Sequence, residues 1–270
     1  MKALFSSLTF LLFLMSCRSA APVQDIIPAH DTFILESKYT GETRVINVWK
    51  PENYNSDTGR FPVLYMPDGG LKEDFPHIAN TLSKLISAKE IPPIILVGIE
   101  NTQRRRDLTG PTQNAEDKKI APVVGGSKEF RAFIKEELFP VIEKKYRTGD
   151  RRGLIGESLA GLFVTETLLE SPNMFDYYIA FDPSLWWNDH ALVGSAEKDL
   201  AGFPTAEKRF WFAGSGTEEI SKYPRELAKI LKERNLPNLK WKYSPEPKEE
   251  HSTIFRATKE KALIWTFANQ

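Results

Sequence analysis

The stretch GLIGESLAGLF, residues 153–163, joins a short apolar run, a serine and the start of an apolar helical pattern. Small residues stand two positions before Ser158, at Gly156, and two positions after it, at Ala160. A nucleophilic serine on a tight strand-to-helix turn needs small residues at both positions, because larger side chains collide with the neighbouring backbone. Glycine is usual at the second position, so Ala160 leaves open whether Ser158 is such a nucleophile or an ordinary loop serine.

The rest of the chain alternates short apolar runs with helical patterns, after a predicted hairpin over Asp31–Lys50. The predicted buried strands are Phe61–Met66, Ile94–Ile99, Arg152–Ile155, Tyr177–Phe181, Phe210–Ala213 and Lys240–Tyr243. The predicted helices are His77–Ala88, Ser127–Tyr146 with Ser127 as N-cap and a kink at Pro140, Leu159–Glu170, Pro224–Arg234 and Ile254–Phe267. This alternation favours an α/β fold with a mostly parallel sheet, antiparallel strands at its start and helices on both faces.

The amino terminus reads as a targeting segment. An early lysine precedes an apolar run, Ala3–Met15, that is too short to span a bilayer comfortably, so residues 1–16 predict a secretory signal peptide. The motif LMSC at residues 14–17 resembles the lipobox of bacterial lipoproteins, so we expect Cys17 to be lipidated and residues 17–29 to form a tether. Cleavage near Ala20 or Ala21, giving a soluble periplasmic or secreted protein, is the alternative.

Length and composition limit the domain organisation and the partners that are expected. Residues 30–270 are expected to form one domain of the 270-residue chain. The 36 basic residues balance the 36 acidic ones, so no nucleic-acid partner is indicated, and membrane contact is expected only through the lipid anchor. Cys17 is the only cysteine, which excludes a disulfide framework. No metal or organic cofactor is implied, and the oligomeric state is left open.

A nucleophilic serine needs a base, and histidine has a suitable pKa. Of the four histidines, His251 follows the last predicted strand, the place that the base occupies on this kind of scaffold. His30 precedes the first strand, His77 lies in a helix, and His190 lies in an insertion after the serine.

The acid is expected at the end of the strand Phe210–Ala213, where Glu218 and Glu219 are equal candidates. A solvated pair at a helix N-terminus, and a Ser-His dyad without an acid, remain alternatives. The N–H groups of Leu159 and Gly70 are the candidate donors to an oxyanion, although the glycines before Leu71 also suit a simple turn.

Two further groups are candidates for substrate contacts. Trp186 and Trp187 follow the strand Tyr177–Phe181 and could line a site for a planar or acyl group, or could simply cover the core. Arg106 could contact an anionic substrate, or could form a structural ion pair.

Several motifs together resemble one family. They are FPVLYMPDGG at 61–70, RDLT at 106–109, EELFPVI at 136–142, GESLAG at 156–161, IAFDPSLWW at 179–187 and EHSTI at 250–254. From about Asp31 to the C-terminus the chain resembles the esterase family of α/β-hydrolases that includes esterase D, the siderophore esterases, feruloyl esterase domains and the mycolyl transferases. The resemblance implies Ser158 as nucleophile and His251 as general base. The departures are Ala160 and the unassigned acid.

We therefore expect a cell-envelope serine esterase that forms an acyl-enzyme with a small-molecule ester, such as a siderophore or sugar ester. An acyltransferase would use the same residues with an alcohol as acceptor. A lipid-anchored binding protein that keeps the fold without turnover is the alternative from another class.

Overall fold

The computed structural model describes residues 25–120 and 122–268, so the predicted signal peptide and Cys17 lie outside the described residues. The strands are β1 (Asp31–Ser37), β2 (Glu42–Trp49), β3 (Phe61–Pro67), β4 (Ile95–Ile99), β5 (Thr148–Glu157), β6 (Tyr177–Phe181), β7 (Lys208–Ser215) and β8 (Leu239–Glu246). The α-helices are α1 (Phe75–Ser87), α2 (Arg104–Asp107), α3 (Ala115–Ile120), α4 (Ser127–Phe133), α5 (Phe139–Lys145), α6 (Leu159–Glu170), α7 (Trp187–Asp199), α8 (Glu218–Arg234) and α9 (Ile254–Phe267).

These strands form one 8-stranded sheet in the order β1-β2-β4-β3-β5-β6-β7-β8. The pairs β1–β2 and β2–β4 are antiparallel, and the remaining pairs, from β4 to β8, are parallel. The predicted α/β fold is therefore confirmed, including its antiparallel start. The carboxyl ends of the parallel strands meet along one edge of the sheet, which is where open α/β sheets form their ligand sites.

Helices cover both faces of the sheet. Leu154 of β5 packs into the cluster that contains residues of α4, α6, α7 and α8, whereas Ile155 packs with residues of α1 and α9. Because side chains alternate along a strand, Glu157 at the end of β5 projects to the same face as Ile155. Glu157 therefore lies on the face of the sheet that α1 and α9 cover.

The segment from Ser127 onward differs from its prediction in two details. Gly126, not Ser127, is the N-cap, and the Ser127 hydroxyl instead donates to the Glu166 carboxylate at 2.9 Å. The kink expected at Pro140 takes the form of a π-helical turn over Ile134–Leu138, directly before α5. A proline inside a helix lacks the N–H that an α-helical carbonyl needs, and a locally wider turn accommodates that loss.

The first described residues lie against the folded body. Asp25 pairs with Arg256 of α9 at 2.6 Å, and the Asn80 side chain of α1 donates to the Ile26 carbonyl at 2.8 Å. Across the part of the chain that the structure describes, none of the helices has both the length and the apolarity that a membrane span requires.

Candidate active site

Ser158 occupies the turn between β5 and α6. Its backbone has φ 57° and ψ −117°, a positive-φ conformation that is uncommon for a residue with a side chain. A Cβ atom added to Gly156 would lie 2.6 Å from the Ala160 Cβ and 2.7 Å from the Ala160 carbonyl carbon. The steric requirement expected at Gly156 is therefore present, and the turn accommodates the methyl group of Ala160, which is fully buried.

A continuous chain of hydrogen bonds joins three side chains from different parts of the sequence. The Ser158 Oγ lies 3.1 Å from His251 Nε2, and His251 Nδ1 lies 2.8 Å from Asp182 Oδ2. The Asp182 carboxylate accepts a hydrogen bond from Nδ1–H, so Nε2 of the neutral imidazole is the acceptor for the Ser158 hydroxyl. This arrangement can remove the proton from Ser158 as its oxygen attacks an electrophile.

Asp182 lies directly after β6 and is fully buried. Residues of the neighbouring strand, β7, donate hydrogen bonds to its carboxylate. The N–H of Ser215, at the end of β7, donates to Asp182 Oδ1 at 2.9 Å, and the Ser215 hydroxyl donates to Oδ2 at 2.7 Å. On the other side, the N–H of His251 donates to the Thr217 hydroxyl at 3.3 Å. Ser215 at the end of β7 and Thr217 just after it therefore position both partners of the Asp182–His251 hydrogen bond.

The expected position of the acid is corrected. Glu218 and Glu219 are exposed at the start of α8, and the Glu218 carboxylate pairs with Arg225 instead of His251. The strand next to β7 supplies the carboxylate: the carboxyl ends of β6 and β7 lie side by side, and Asp182, directly after β6, bonds to His251 Nδ1. The signal available in the sequence was a buried strand that ends directly in aspartate, at FDPS, residues 181–184.

Neighbouring carboxylates act on the pKa of His251. The hydrogen bond that His251 donates to Asp182 raises the pKa of His251 above its usual value, burial acts in the opposite direction, and the charge of Glu157 adds to the increase. Glu157 is half-buried, and burial together with the nearby Asp74 carboxylate raises its own pKa to about 7. Sequence reasoning assigned no role to Glu157, although it adjoins Ser158.

The two predicted oxyanion donors differ in the structure. Leu159 is the first residue of α6, and the first N–H groups of a helix have no carbonyl partner within the helix. The Gly70 N–H, by contrast, already donates to the Glu73 carboxylate at 2.6 Å. The Gly70 N–H is therefore not a free donor in this structure, because it is bonded to the side chain of a residue three positions further along the chain.

Arg106 is part of a structural ion-pair network. Its guanidinium donates to both carboxylate oxygens of Glu42, at 2.8 and 2.9 Å, and to Asp107 at 2.8 Å. These bonds hold the pKa of Glu42 well below its usual range, at about 2. Of the two roles expected for Arg106, substrate contact or a structural ion pair, the structure shows the ion pair. Arg104 lies nearer the triad: it donates to Asp68 at 2.6 and 2.7 Å, and its charge acts to lower the pKa of His251.

The two tryptophans are divided between core and surface. Trp187 is buried, and its indole N–H donates to the Gly110 carbonyl at 3.0 Å, whereas Trp186 is half-buried on the core. The next residues, 188–190, all have left-handed φ values between 48° and 55°. That backbone turn ends at His190, whose ring stacks on Tyr223 with centroids 4.9 Å apart. Trp186 is thus the tryptophan available to a ligand.

A surface cavity of about 570 Å³ borders His251 and is lined by Gly216, Thr217 and residues 247–252. Within residues 25–120 and 122–268, no group of three or more His, Cys, Asp or Glu side chains is placed to hold a metal ion.

The sheet order, the strained serine turn and the Ser158–His251–Asp182 geometry define an α/β-hydrolase fold with a serine hydrolase-like site. The family model described as "Putative esterase" matches residues 37–243, and the chain belongs to that family. It is 31% identical to the ferri-bacillibactin esterase BesA of Bacillus subtilis over 182 residues, which cover 60% of this chain and 61% of BesA. It is 28% identical to the apo-salmochelin esterase of Escherichia coli over 246 residues, which cover 82% and 74% of the two chains. The chain thus spans about three fifths of the length of BesA.

Solved structures show the same fold. The crystal structure of an IroE-like serine hydrolase from Shewanella oneidensis superposes with a TM-score of 0.81 at 26% identity, covering 88% of this chain and 79% of the other. The BES protein from Bacillus cereus superposes with a TM-score of 0.79 at 25% identity, covering 91% and 99% of the two chains.

Proposed function

We propose that this chain is a serine carboxylic-ester hydrolase. The observation that carries the proposal is the unbroken chain of hydrogen bonds from Ser158 through His251 to the buried Asp182. The esterase family membership supports the same reaction class.

In the proposed acylation step, Ser158 Oγ bonds to the ester carbonyl carbon while His251 Nε2 takes the hydroxyl proton. His251 then gives that proton to the departing alkoxide as the C–O bond of the ester breaks. Water repeats the sequence on the acyl-enzyme, and Ser158 recovers its proton from His251. Asp182 holds the imidazole in the tautomer that leaves Nε2 free and stabilises the imidazolium.

The negative charge that develops on the carbonyl oxygen needs donors. We propose the Leu159 N–H as one of them, because it adjoins the nucleophile at the positive end of α6. No step involves a metal or an organic cofactor in this proposal.

We propose a siderophore ester as the substrate class. The support is that relatives over much of the chain are named for the hydrolysis of siderophores in bacteria and fungi. In this chain, half-buried Trp186 and the stacked pair of His190 and Tyr223 offer aromatic surface in the segments that follow β6 and β7. Sugar esters are the competing substrate class.

Two assays test the activity and its substrate. Hydrolysis of short p-nitrophenyl esters together with labelling by a fluorophosphonate tests the reaction class; a protein that shows neither contradicts it and favours a non-catalytic binding protein. Liquid chromatography of a cyclic siderophore lactone, a feruloylated sugar and an acetylated sugar then ranks substrates by kcat/KM. A rate that rises with added alcohol, with transfer of the acyl group to it, identifies an acyltransferase.

We also propose that Cys17 anchors the protein to the cell envelope through lipid. The support is the lipobox-like sequence of residues 14–17. A Cys17→Ala variant expressed in bacteria is expected in the soluble fraction, while the unaltered chain stays with membranes. Membrane association that is the same in both contradicts the proposal.

A further inference from the structure

Ser184 lies beside the nucleophile in the turn that follows Asp182. Its N–H donates to the Ser158 carbonyl at 3.0 Å, and the Ser158 N–H in turn donates to the Phe181 carbonyl at 3.0 Å. The first turn of α6 presses on the same segment, because a Cβ added at Gly161 would lie 3.1 Å from both the Phe181 carbonyl oxygen and the Pro183 Cα. The backbones of the two serines are therefore held in a fixed relation.

The side chains of these serines also meet. Ser184 Oγ lies 3.3 Å from Ser158 Oγ, and Ser184 is only 2% exposed. Ser158 has one hydroxyl proton, which it donates to His251 Nε2. In the contact between the two serines, Ser184 is consequently the donor and Ser158 Oγ the acceptor. Within residues 25–120 and 122–268, the Ser184 hydroxyl has no other hydrogen-bond partner.

We propose that Ser184 is a catalytic residue whose hydroxyl donates a hydrogen bond to Ser158 Oγ and stabilises the charge that this oxygen carries during both halves of the reaction. The inference rests on the proposed function, since Ser158 must be the nucleophile. Ser184 keeps its own proton throughout; the proton of Ser158 moves to His251 during attack and returns as the bond between Oγ and the acyl carbon breaks.

The length of the contact favours an effect on rate over an effect on binding. A separation of 3.3 Å is longer than the usual 2.5–3.0 Å for two hydroxyl groups, so the bond is weak while Ser158 is neutral. A hydroxyl bonded to a charged oxygen is shorter and roughly twice as strong. The bond therefore strengthens between the ground state and the transition state, which is the property that accelerates a reaction. Because one lone pair of Ser158 accepts this bond, the other is directed to the substrate.

The test compares Ser184→Ala with two matched variants. Ser127→Ala removes another buried hydroxyl that bonds a carboxylate away from the site, and it controls for the loss of buried polar contacts. Ser158→Ala removes the nucleophile. We expect Ser184→Ala to lower kcat about tenfold to a hundredfold, with KM and the pH midpoint of kcat/KM unchanged, while Ser127→Ala keeps the wild-type kcat.

A merely structural role gives a different pattern: KM rises or the pH midpoint moves, because the Asp182–His251 pair is displaced. Wild-type kcat in Ser184→Ala overturns the inference, and so does a loss confined to KM. If Ser184→Ala does not fold, Ser184→Cys decides, because its thiol has similar volume and is a weak donor; a lowered kcat supports the inference and a full kcat overturns it. Activity that survives in Ser158→Ala instead contradicts the proposed function itself.

Discussion

Asp182 and the two glutamates at the start of α8 occupy opposite environments. Asp182 is fully buried and accepts hydrogen bonds from Ser215 and His251, whereas Glu218 and Glu219 are exposed. A buried carboxylate needs hydrogen-bond donors and a cationic partner to remain ionised, and an imidazole that gains a proton supplies one. The environment of Asp182 therefore suits an acid that orients a base.

We expect Asp182→Asn to lower kcat/KM for a p-nitrophenyl ester by about 10³-fold to 10⁴-fold, because an amide donor at Nδ1 places the imidazole proton on Nε2. The side chain is almost isosteric, so the thermal midpoint should change little. Glu218→Gln and Glu219→Gln are the matched controls and should keep wild-type rates. A kcat/KM of Asp182→Asn within tenfold of the wild-type value contradicts the assignment of Asp182 as the acid.

Glu157 acts on the same imidazole from the side of α1 and α9. Its charge raises the pKa of His251, and burial holds its own pKa near 7. Hydrolysis needs neutral His251, so kcat/KM should increase as pH rises through the His251 pKa, which lies above the usual value for histidine.

Replacing Glu157 with Gln removes a charge that favours the imidazolium, so the pKa of His251 should fall. The acidic limb of the kcat/KM profile is expected to move to lower pH, with the plateau at alkaline pH retained. Glu219→Gln, an exposed carboxylate lost elsewhere, serves as the control for general charge effects. An acidic limb that stays in place or moves to higher pH would show that Glu157 does not act on His251.

At the scale of elements, the turn from β5 to α6 places the nucleophile. The turn brings Gly156 against Ala160, and the positive-φ backbone of Ser158 is held by main-chain hydrogen bonds to β6 and to the Ser184 segment. Non-glycine residues in such conformations persist where the surrounding structure enforces them, often at functional sites.

We expect Gly156→Ala to reduce the free energy of unfolding by about 1–3 kcal/mol, because the new methyl group overpacks the turn, and to lower kcat as Ser158 shifts. Ala160→Gly should cost only about 0.5–1 kcal/mol and keep kcat within a few-fold. The double variant should recover only part of the loss, since the Ala160 carbonyl oxygen also lies 2.8 Å from the added Cβ. Urea unfolding of Gly156→Ala indistinguishable from wild type contradicts this view of the turn.

Across the whole molecule, sequence patterns predicted the features that depend on local order. Buried strands and amphipathic helices follow from apolar periodicity, and Ser158 and His251 follow from the order of elements. Asp182 was missed because two adjacent strand ends can reach the same imidazole, and chain order does not decide which carboxylate does so.

The partners of two other candidate residues also emerge only from the structure. The partner of Arg106 is Glu42, 64 residues away in the sequence, and Gly70 is closed by a side-chain contact within its own turn. Spacing along the chain does not identify Glu42 as the partner of Arg106. The role proposed for Ser184 likewise depends on its distance from Ser158, which the sequence does not contain.

The most direct test of the account is intact-mass spectrometry after fluorophosphonate treatment, combined with ester hydrolysis by the same samples of wild type and Ser158→Ala. A nucleophilic Ser158 predicts one phosphonyl adduct on that residue and hydrolysis by the wild type, and neither adduct nor hydrolysis by the variant. An unmodified and inactive wild type, or a Ser158→Ala variant that keeps full activity, contradicts it.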